Sequence, residues 1–295
     1  MIELETMDEI IKKLKEINAK KIFLQYPEGL TLKILDIAKS LEKEGFEVLV
    51  CSEPCYGACD LRDFEAKRLG CDVILHLAHS DFGLESQLPV IYWEYQLDVN
   101  PIPLLEKEFH KLKPYKKIGL ITTLQYVKAM NKVNDYLENK GKKTFVHKTL
   151  KYSGQVLGCC TYAAEAIADK VDAFLYVGSG KFHPSSVAIN VNKPIFSLDL
   201  ERNEMYSLEK EKMKYLKKRA WHDHQLKEAK TVGIIVSWKK GQNRIEEARE
   251  LKKELEKDGK DVTILVFDRF TEAKIEGLKF DVLINRFCPR MDWEN

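Results

Sequence analysis

The chain of 295 residues carries 48 Lys and Arg against 46 Asp and Glu, a formal net charge of +2, and is 44% hydrophobic. That balance excludes a mainly disordered chain and gives no overall basic field of the kind that binds nucleic acid. No run of about eighteen apolar residues occurs, and the polar, acidic start Met1-Ile2-Glu3-Leu4-Glu5 is no secretory leader, so no membrane span is expected and the cytoplasm is the default location.

The predicted elements follow a weak triplication. The first unit opens on the strand Lys21-Ile22-Phe23-Leu24-Gln25. A helix follows with Leu32, Leu35, Ile37, Ala38 and Leu41 as its expected apolar stripe and Gly45 at its C-terminal cap. Strands at 46–50 and 72–76 complete the unit, and Pro101, Pro103 and Pro114 mark the join. The second unit repeats the order. It has a strand at 117–122, a helix on Val127, Met130, Val133 and Leu137 ending at Gly141, and strands at 144–147 and 172–177. A charged stretch from about Glu201 to Lys230 reads as one exposed helix. The third unit has a strand at 230–236, a helix on Ile245, Ala248, Leu251 and Leu255 ending at Gly259, and strands at 262–267 and 281–285. In each unit the first strand follows or begins with Lys, and the third opens with Asp. The expected fold is therefore α/β: three similar repeats, 1–100, 101–200 and 201–295, each a small parallel sheet flanked by helices. Ligand chemistry on such sheets gathers at the carboxyl ends of the strands.

There are seven cysteines, an odd number that argues for metal or redox use in a cytosolic chain rather than a disulfide framework. Cys71 leads into a hydrophobic strand and reads as a small core residue. Cys59, Cys159 and Cys288 all fall in loops beyond strand carboxyl ends. If the three repeats pack around a common centre, each delivers one thiolate to it. Three thiolates suit a [4Fe–4S] cluster with one open iron, where a substrate carboxylate or amine can bind. Gly57, Gly154 and Gly158 beside them permit close backbone approach. From spacing alone two alternatives stay open. Cys51-x3-Cys55-x3-Cys59 is itself a three-cysteine loop, one residue away from the CxxxCxxC loop of ordinary radical S-adenosylmethionine enzymes. Structural or zinc-binding use is the other.

Six motifs occur in order along nearly the whole chain: Gln25-Tyr26-Pro27-Glu28-Gly29-Leu30, Tyr56-Gly57-Ala58-Cys59, His76-Leu77-Ala78-His79-Ser80, Gly154-Gln155-Val156-Leu157-Gly158-Cys159, Gly178-Ser179-Gly180-Lys181-Phe182-His183 and Cys288-Pro289-Arg290. Together they resemble the diphthamide synthase family, the 2-(3-amino-3-carboxypropyl)histidine synthases. The resemblance implies three similar domains around one [4Fe–4S] cluster, with Cys59, Cys159 and Cys288 as ligands, Cys160 as a neighbour, and Cys51 and Cys55 in structural roles. It implies an atypical radical use of S-adenosylmethionine, in which the Cγ–S bond breaks and methylthioadenosine leaves. The 3-amino-3-carboxypropyl fragment then adds to C2 of a histidine on translation elongation factor 2. A homodimer and an electron donor are implied as well. Family members run on past the Cys-Pro-Arg motif, so an end at Asn295 implies a last cluster loop less covered, one covered by the other subunit, or a shortened chain.

For the S-adenosylmethionine pocket the candidates are Gln25 and Glu28 at the top of the first strand, Gln125 at the matching point of unit two, and Gly178, Gly180 and His183 after a strand. His79 and Ser80 are further candidates. No catalytic acid or base stands out. The competing functions are a non-catalytic iron–sulfur redox or partner protein and a zinc-stabilised interaction protein.

Overall fold

The structure is a computed structural model, and it describes residues 2–4 and 6–294. Three parallel sheets form its frame. The first has the order Glu47–Val50, Lys21–Gln25, Val73–Leu77, Val90–Trp93. The second runs Lys143–Phe145, Lys117–Thr122, Ala173–Gly178, Ile195–Asp199, and the third is Asp261–Phe267, Thr231–Ser237, Val282–Arg286. In every unit the first strand lies between the second and the third, the arrangement a triplicated strand–helix pattern dictates.

Two local devices recur in all three units. Each predicted helix end has a glycine with positive φ, Gly45 at 92°, Gly141 at 75° and Gly259 at 81°. There the chain reverses as the next N–H reaches back to a helix carbonyl: Phe46 to Leu41, Lys142 to Leu137, Lys260 to Leu255. Each Asp before the third strand accepts two backbone N–H groups where the first strand begins. Asp72 takes those of Lys20 and Lys21, Asp172 those of Lys116 and Lys117, and Asp281 those of Lys230 and Thr231. The three carboxylates thereby fix the register of the first strand against the third.

The sheets bury Ile, Leu and Val on the central strands. Ile22, Leu24, Ile118, Leu120, Val232 and Ile234 are fully buried, and each such side chain contributes roughly 2 kcal/mol of burial. Cys51 and Cys71 pack with Phe23 and Ile74 in the core on the other face of the first sheet.

Three expectations change. Leu32 and Leu35 lie on the outer face of helix Thr31–Lys43, 96% and 62% exposed, because the buried stripe is Ile34, Ala38 and Leu41. The 201–230 stretch is not one helix. Glu204–Ser207 is an antiparallel strand that extends the second sheet past residue 200, and the helix is Glu209–Glu228. Parallel pairing is also broken by Ile2–Leu4, which pairs antiparallel with Tyr95–Leu97. The edge strands Val90–Trp93 and Ile195–Asp199 carried no expectation at all.

Candidate metal centre

The three units are locked together by polar side chains at their boundaries, some of them buried. Lys239, in the turn after the third unit's first strand, pairs with Asp60 of unit one, and both are buried. Arg62 Nη2 donates to both carboxylate oxygens of Asp268, at 3.2 and 3.0 Å, and Lys240 reaches Asp63 at 2.5 Å. Units one and two meet where Lys151 and the Tyr152 hydroxyl donate to Glu94, at 2.8 and 2.5 Å, and where Gln155 donates to Ser80 at 3.1 Å.

At this meeting point lies a cavity of about 170 Å³, and the cysteines that line it are Cys59, Cys159 and Cys288. Each comes from a different sheet and a loop of its own design. The Cys59 loop is a tight turn closed by Asp60 N–H donating to Gly57 O at 3.0 Å. Gln25, fully buried, donates to Asp60 O and accepts from Arg62 N–H at 3.4 Å, so it braces that turn. Cys159 is at the tip of a hairpin in which Leu157 and Cys160 exchange backbone hydrogen bonds of 2.9 and 3.1 Å. A Cβ on Gly158 would meet the Phe182 ring at 2.0 Å, so only glycine lets the tip sit against that ring. The Cys288 loop is held by Asn285, which accepts from Phe287 N–H at 2.8 Å and donates to Cys288 O and to Asp292, both at 2.9 Å.

The thiols share an electrostatic environment. Burial raises Cys59, Gln242 opposes this by hydrogen bonding, and the charge of Cys288 raises it further. Cys159 is exposed as a residue, but its thiol faces the cavity, where burial and then Cys59 and Cys288 push it up to about 12. Cys59 and Cys159, soft donors raised in a desolvated pocket, are held toward the thiol form until a thiophilic centre shares their charge. The donor set fits a [4Fe–4S] cluster with one iron left open.

His79 and His183 line the cavity and His76 contacts His79; each is lowered chiefly by burial, His76 to about 3, His79 to about 4 and His183 to about 4. All three are neutral at pH 7. His183 Nδ1 accepts the Gly158 N–H at 3.0 Å, so its proton resides on Nε2. His79 and Ser80 reach the cavity because Ala78 adopts φ of 67°, a sharp turn at a strand end that non-glycine residues seldom make. Cys55 Sγ lies 3.8 Å from His76 Nε2, which is 3.1 Å from His79 Nδ1. These three side chains are close enough for a single ion. However, His76 Nδ1 is buried with no hydrogen-bond partner among the described residues, and a ligating histidine ordinarily has its second nitrogen held.

Of the sequence-derived pocket candidates, the structure brings Gln125 and His183 to the cavity wall along with His79 and Ser80. Gln25 instead braces the Cys59 turn. Glu28 is exposed in the short turn Glu28–Leu30, away from the lining. Gly178 ends its strand against the Tyr176 ring, and Gly180 (φ 70°) forms an open turn; neither lines the cavity. Sequence reasoning missed Arg290 and Gln242, both in the wall. Arg290 had a signal, as the third residue of Cys-Pro-Arg, and its guanidinium lies 5.4 Å over the Tyr56 ring. Gln242 had none.

A family model of diphthamide synthesis proteins matches residues 26–295. The chain is 33% identical over 287 residues to the 2-(3-amino-3-carboxypropyl)histidine synthase of Pyrococcus horikoshii, covering 96% of this chain and 82% of that one. It is 29% identical over 294 residues to subunit 1 of the Saccharomyces cerevisiae enzyme, covering 95% and 68%. The crystal structure of Dph2 from Pyrococcus horikoshii with a 4Fe-4S cluster superposes with a TM-score of 0.93 at 32% identity, over 100% of this chain and 88% of that one.

Proposed function

The chain belongs to the diphthamide synthesis family, and from that premise we propose that it is a 2-(3-amino-3-carboxypropyl)histidine synthase. It transfers the 3-amino-3-carboxypropyl group of S-adenosylmethionine to C2 of a histidine on translation elongation factor 2, the first step of diphthamide formation. The observation that carries this reading is the convergence of one cysteine from each of three sheets on one cavity.

Cys59, Cys159 and Cys288 hold the cluster. When bound and reduced, a [4Fe–4S] cluster with an open iron supplies the electron that breaks the Cγ–S bond, with methylthioadenosine released. The protein's part is binding and orientation. Arg290 presents a fixed positive charge at the cavity for the methionine carboxylate. His183 offers one N–H, on Nε2, as a neutral donor that does not compete with Arg290 for that carboxylate. Gln125 and Ser80 add polar groups for the nucleoside, and Phe182 closes an apolar side that limits water near the reacting carbon. The functional unit includes a homodimer, an electron donor and elongation factor 2, acting in the cytoplasm. No helix among the described residues is long and apolar enough to cross a membrane.

The test is product analysis of the anaerobically reconstituted, dithionite-reduced protein. S-adenosylmethionine alone should give methylthioadenosine, and elongation factor 2 should gain the aminocarboxypropyl mass on one histidine. Deoxyadenosine as product would place the protein in a different class of radical chemistry. A loaded protein that cleaves nothing would make it an iron–sulfur partner protein.

A further inference from the structure

The third unit packs directly against the Cys59 ligand of unit one. Gly241 N–H donates to Cys59 O at 3.0 Å. A Cβ on Gly241 would be 2.5 Å from Cys59 Cα, so the two segments meet backbone to backbone. The next side chain, Gln242, places Nε2 3.3 Å from Cys59 Sγ. Gln242 is only 7% exposed, lines the cavity, and its Oε1 is buried with no hydrogen-bond partner among the described residues. A metal-bound thiolate only accepts, so the amide nitrogen faces the sulfur and the oxygen faces away from it.

A buried amide oxygen left unpaired is costly, and protein interiors rarely retain one. A donor that enters the cavity beside the ligand would supply the missing partner. We infer that Gln242 is a two-sided positioning residue: its N–H bonds the Cys59 sulfur and tunes the cluster, while its carbonyl receives the α-ammonium group of S-adenosylmethionine. This rests on the function proposed above. The ammonium is the donor that fits, because the methionyl end must lie at the open iron beside this ligand, whereas adenine and ribose extend away from it. Arg290 on the same wall is placed for the carboxylate, so one amino-acid head group reaches both residues. An N–H donated to sulfur stabilises the more negative, reduced cluster, so it raises the reduction potential. One residue thus links substrate capture to the ease of electron delivery.

The experiment uses the full chain, reconstituted anaerobically, as wild type and Gln242→Met. Two quantities are read: the reduction potential, by redox titration followed by electron paramagnetic resonance, and equilibrium binding of S-adenosylmethionine and of methylthioadenosine. Q242M should shift the potential to a more negative value and weaken S-adenosylmethionine about tenfold, while methylthioadenosine, which lacks the ammonium, binds as before. Unchanged potential and affinity overturn the inference, and so does an equal loss for both ligands, which would put the amide on the nucleoside. Should Q242M not hold the cluster, Gln242→Asn keeps the amide one methylene short and must show the same two shifts in the same directions. A wild-type protein that takes up no cluster sinks the functional reading itself. A loaded, S-adenosylmethionine-cleaving wild type with a silent Q242M sinks only the role of Gln242.

Discussion

Lys239→Met tests whether the buried pair at the boundary of units one and three holds the site together. The Lys239 and Asp60 side chains are 5% and 2% exposed, so solvent does little to screen them. Met keeps the aliphatic stem and removes the charge. Asp60 is then a buried carboxylate whose nearest cation is Arg62, with Nε 3.7 Å from Oδ1. Breaking one partner of a buried pair costs about 3–5 kcal/mol, and the remaining Arg62 puts this case near 3 kcal/mol. In a chain of this size that is a fall in melting temperature of roughly 6–12 °C. Asp60→Asn added to Lys239→Met removes the stranded charge and should recover most of the loss. The pH dependence has a definite sign. Burial already holds the Asp60 carboxyl above its ordinary range, with Lys239 and Arg62 pulling it back, and losing Lys239 raises it further. A raised carboxyl pKa means that the folded state binds the proton more tightly than the unfolded chain. Its stabilisation is complete below the unfolded value of 3.8 and is lost as pH rises through the folded value. The deficit of K239M therefore narrows as pH is lowered from about 7 toward 5. Calorimetric melts of the single and double variants over that range check this. A K239M protein within about 1 kcal/mol of wild type at pH 7, or a double variant no better than the single, would refute the argument.

Cys59→Ala, Cys159→Ala and Cys288→Ala should each abolish iron and sulfide retention and the brown colour of the anaerobic protein. Cys55→Ala and Cys160→Ala should retain both, and loss of colour in C55A would favour a local loop cluster. Gly158→Ala should destabilise by about 1–3 kcal/mol through the collision with Phe182, and Phe182→Leu in the same chain should relieve part of it in the same denaturation assay. Asp72, Asp172 and Asp281 are held low chiefly by backbone N–H bonds from Lys21, Lys117 and Thr231. A depressed carboxyl contributes stability above its unfolded value, which is lost as pH falls through the folded one. The triple Asp→Asn variant should therefore show a shallower acid limb below about pH 4 in circular dichroism than wild type.

The frame was legible because its signals are local. Strand hydrophobicity, the cap glycines and the Asp before each third strand are each decided within a few residues, and they repeat. What failed depended on what lies opposite a given side chain. Leu32 and Leu35 fit an apolar helical stripe, but the sheet meets the neighbouring stripe, and the sequence contains no term for that rotation. Glu204–Ser207 looks like the start of a charged helix; it becomes a strand because the edge of Ile195–Asp199 is there to pair with it. The site divides the same way. The cysteines and their motifs could be read in order, whereas Gln25 in a motif turned out to brace a loop, and Gln242 outside any motif meets Cys59.

The location of the thiols has a consequence for assembly. Within any one unit a single cysteine reaches the cavity, so no unit by itself can offer more than one of the three ligands. Their geometry is then set by the contacts between units, and those contacts lie close to the ligands: Asp60 follows Cys59, Gln155 precedes Cys159 by four residues, and Lys239 precedes Gly241 and Gln242, which touch Cys59. Charged and amide groups suit that duty better than apolar ones, since a hydrophobic seam tolerates sliding while a buried pair fixes a register. A loss at the Lys239–Asp60 pair should therefore reach cluster retention as well as the melting temperature. The cluster in turn should stabilise the joined units, because it binds only when all three are docked. Reconstitution should accordingly raise the melting temperature of K239M, and by more than it raises that of any chain lacking one of the three cysteines.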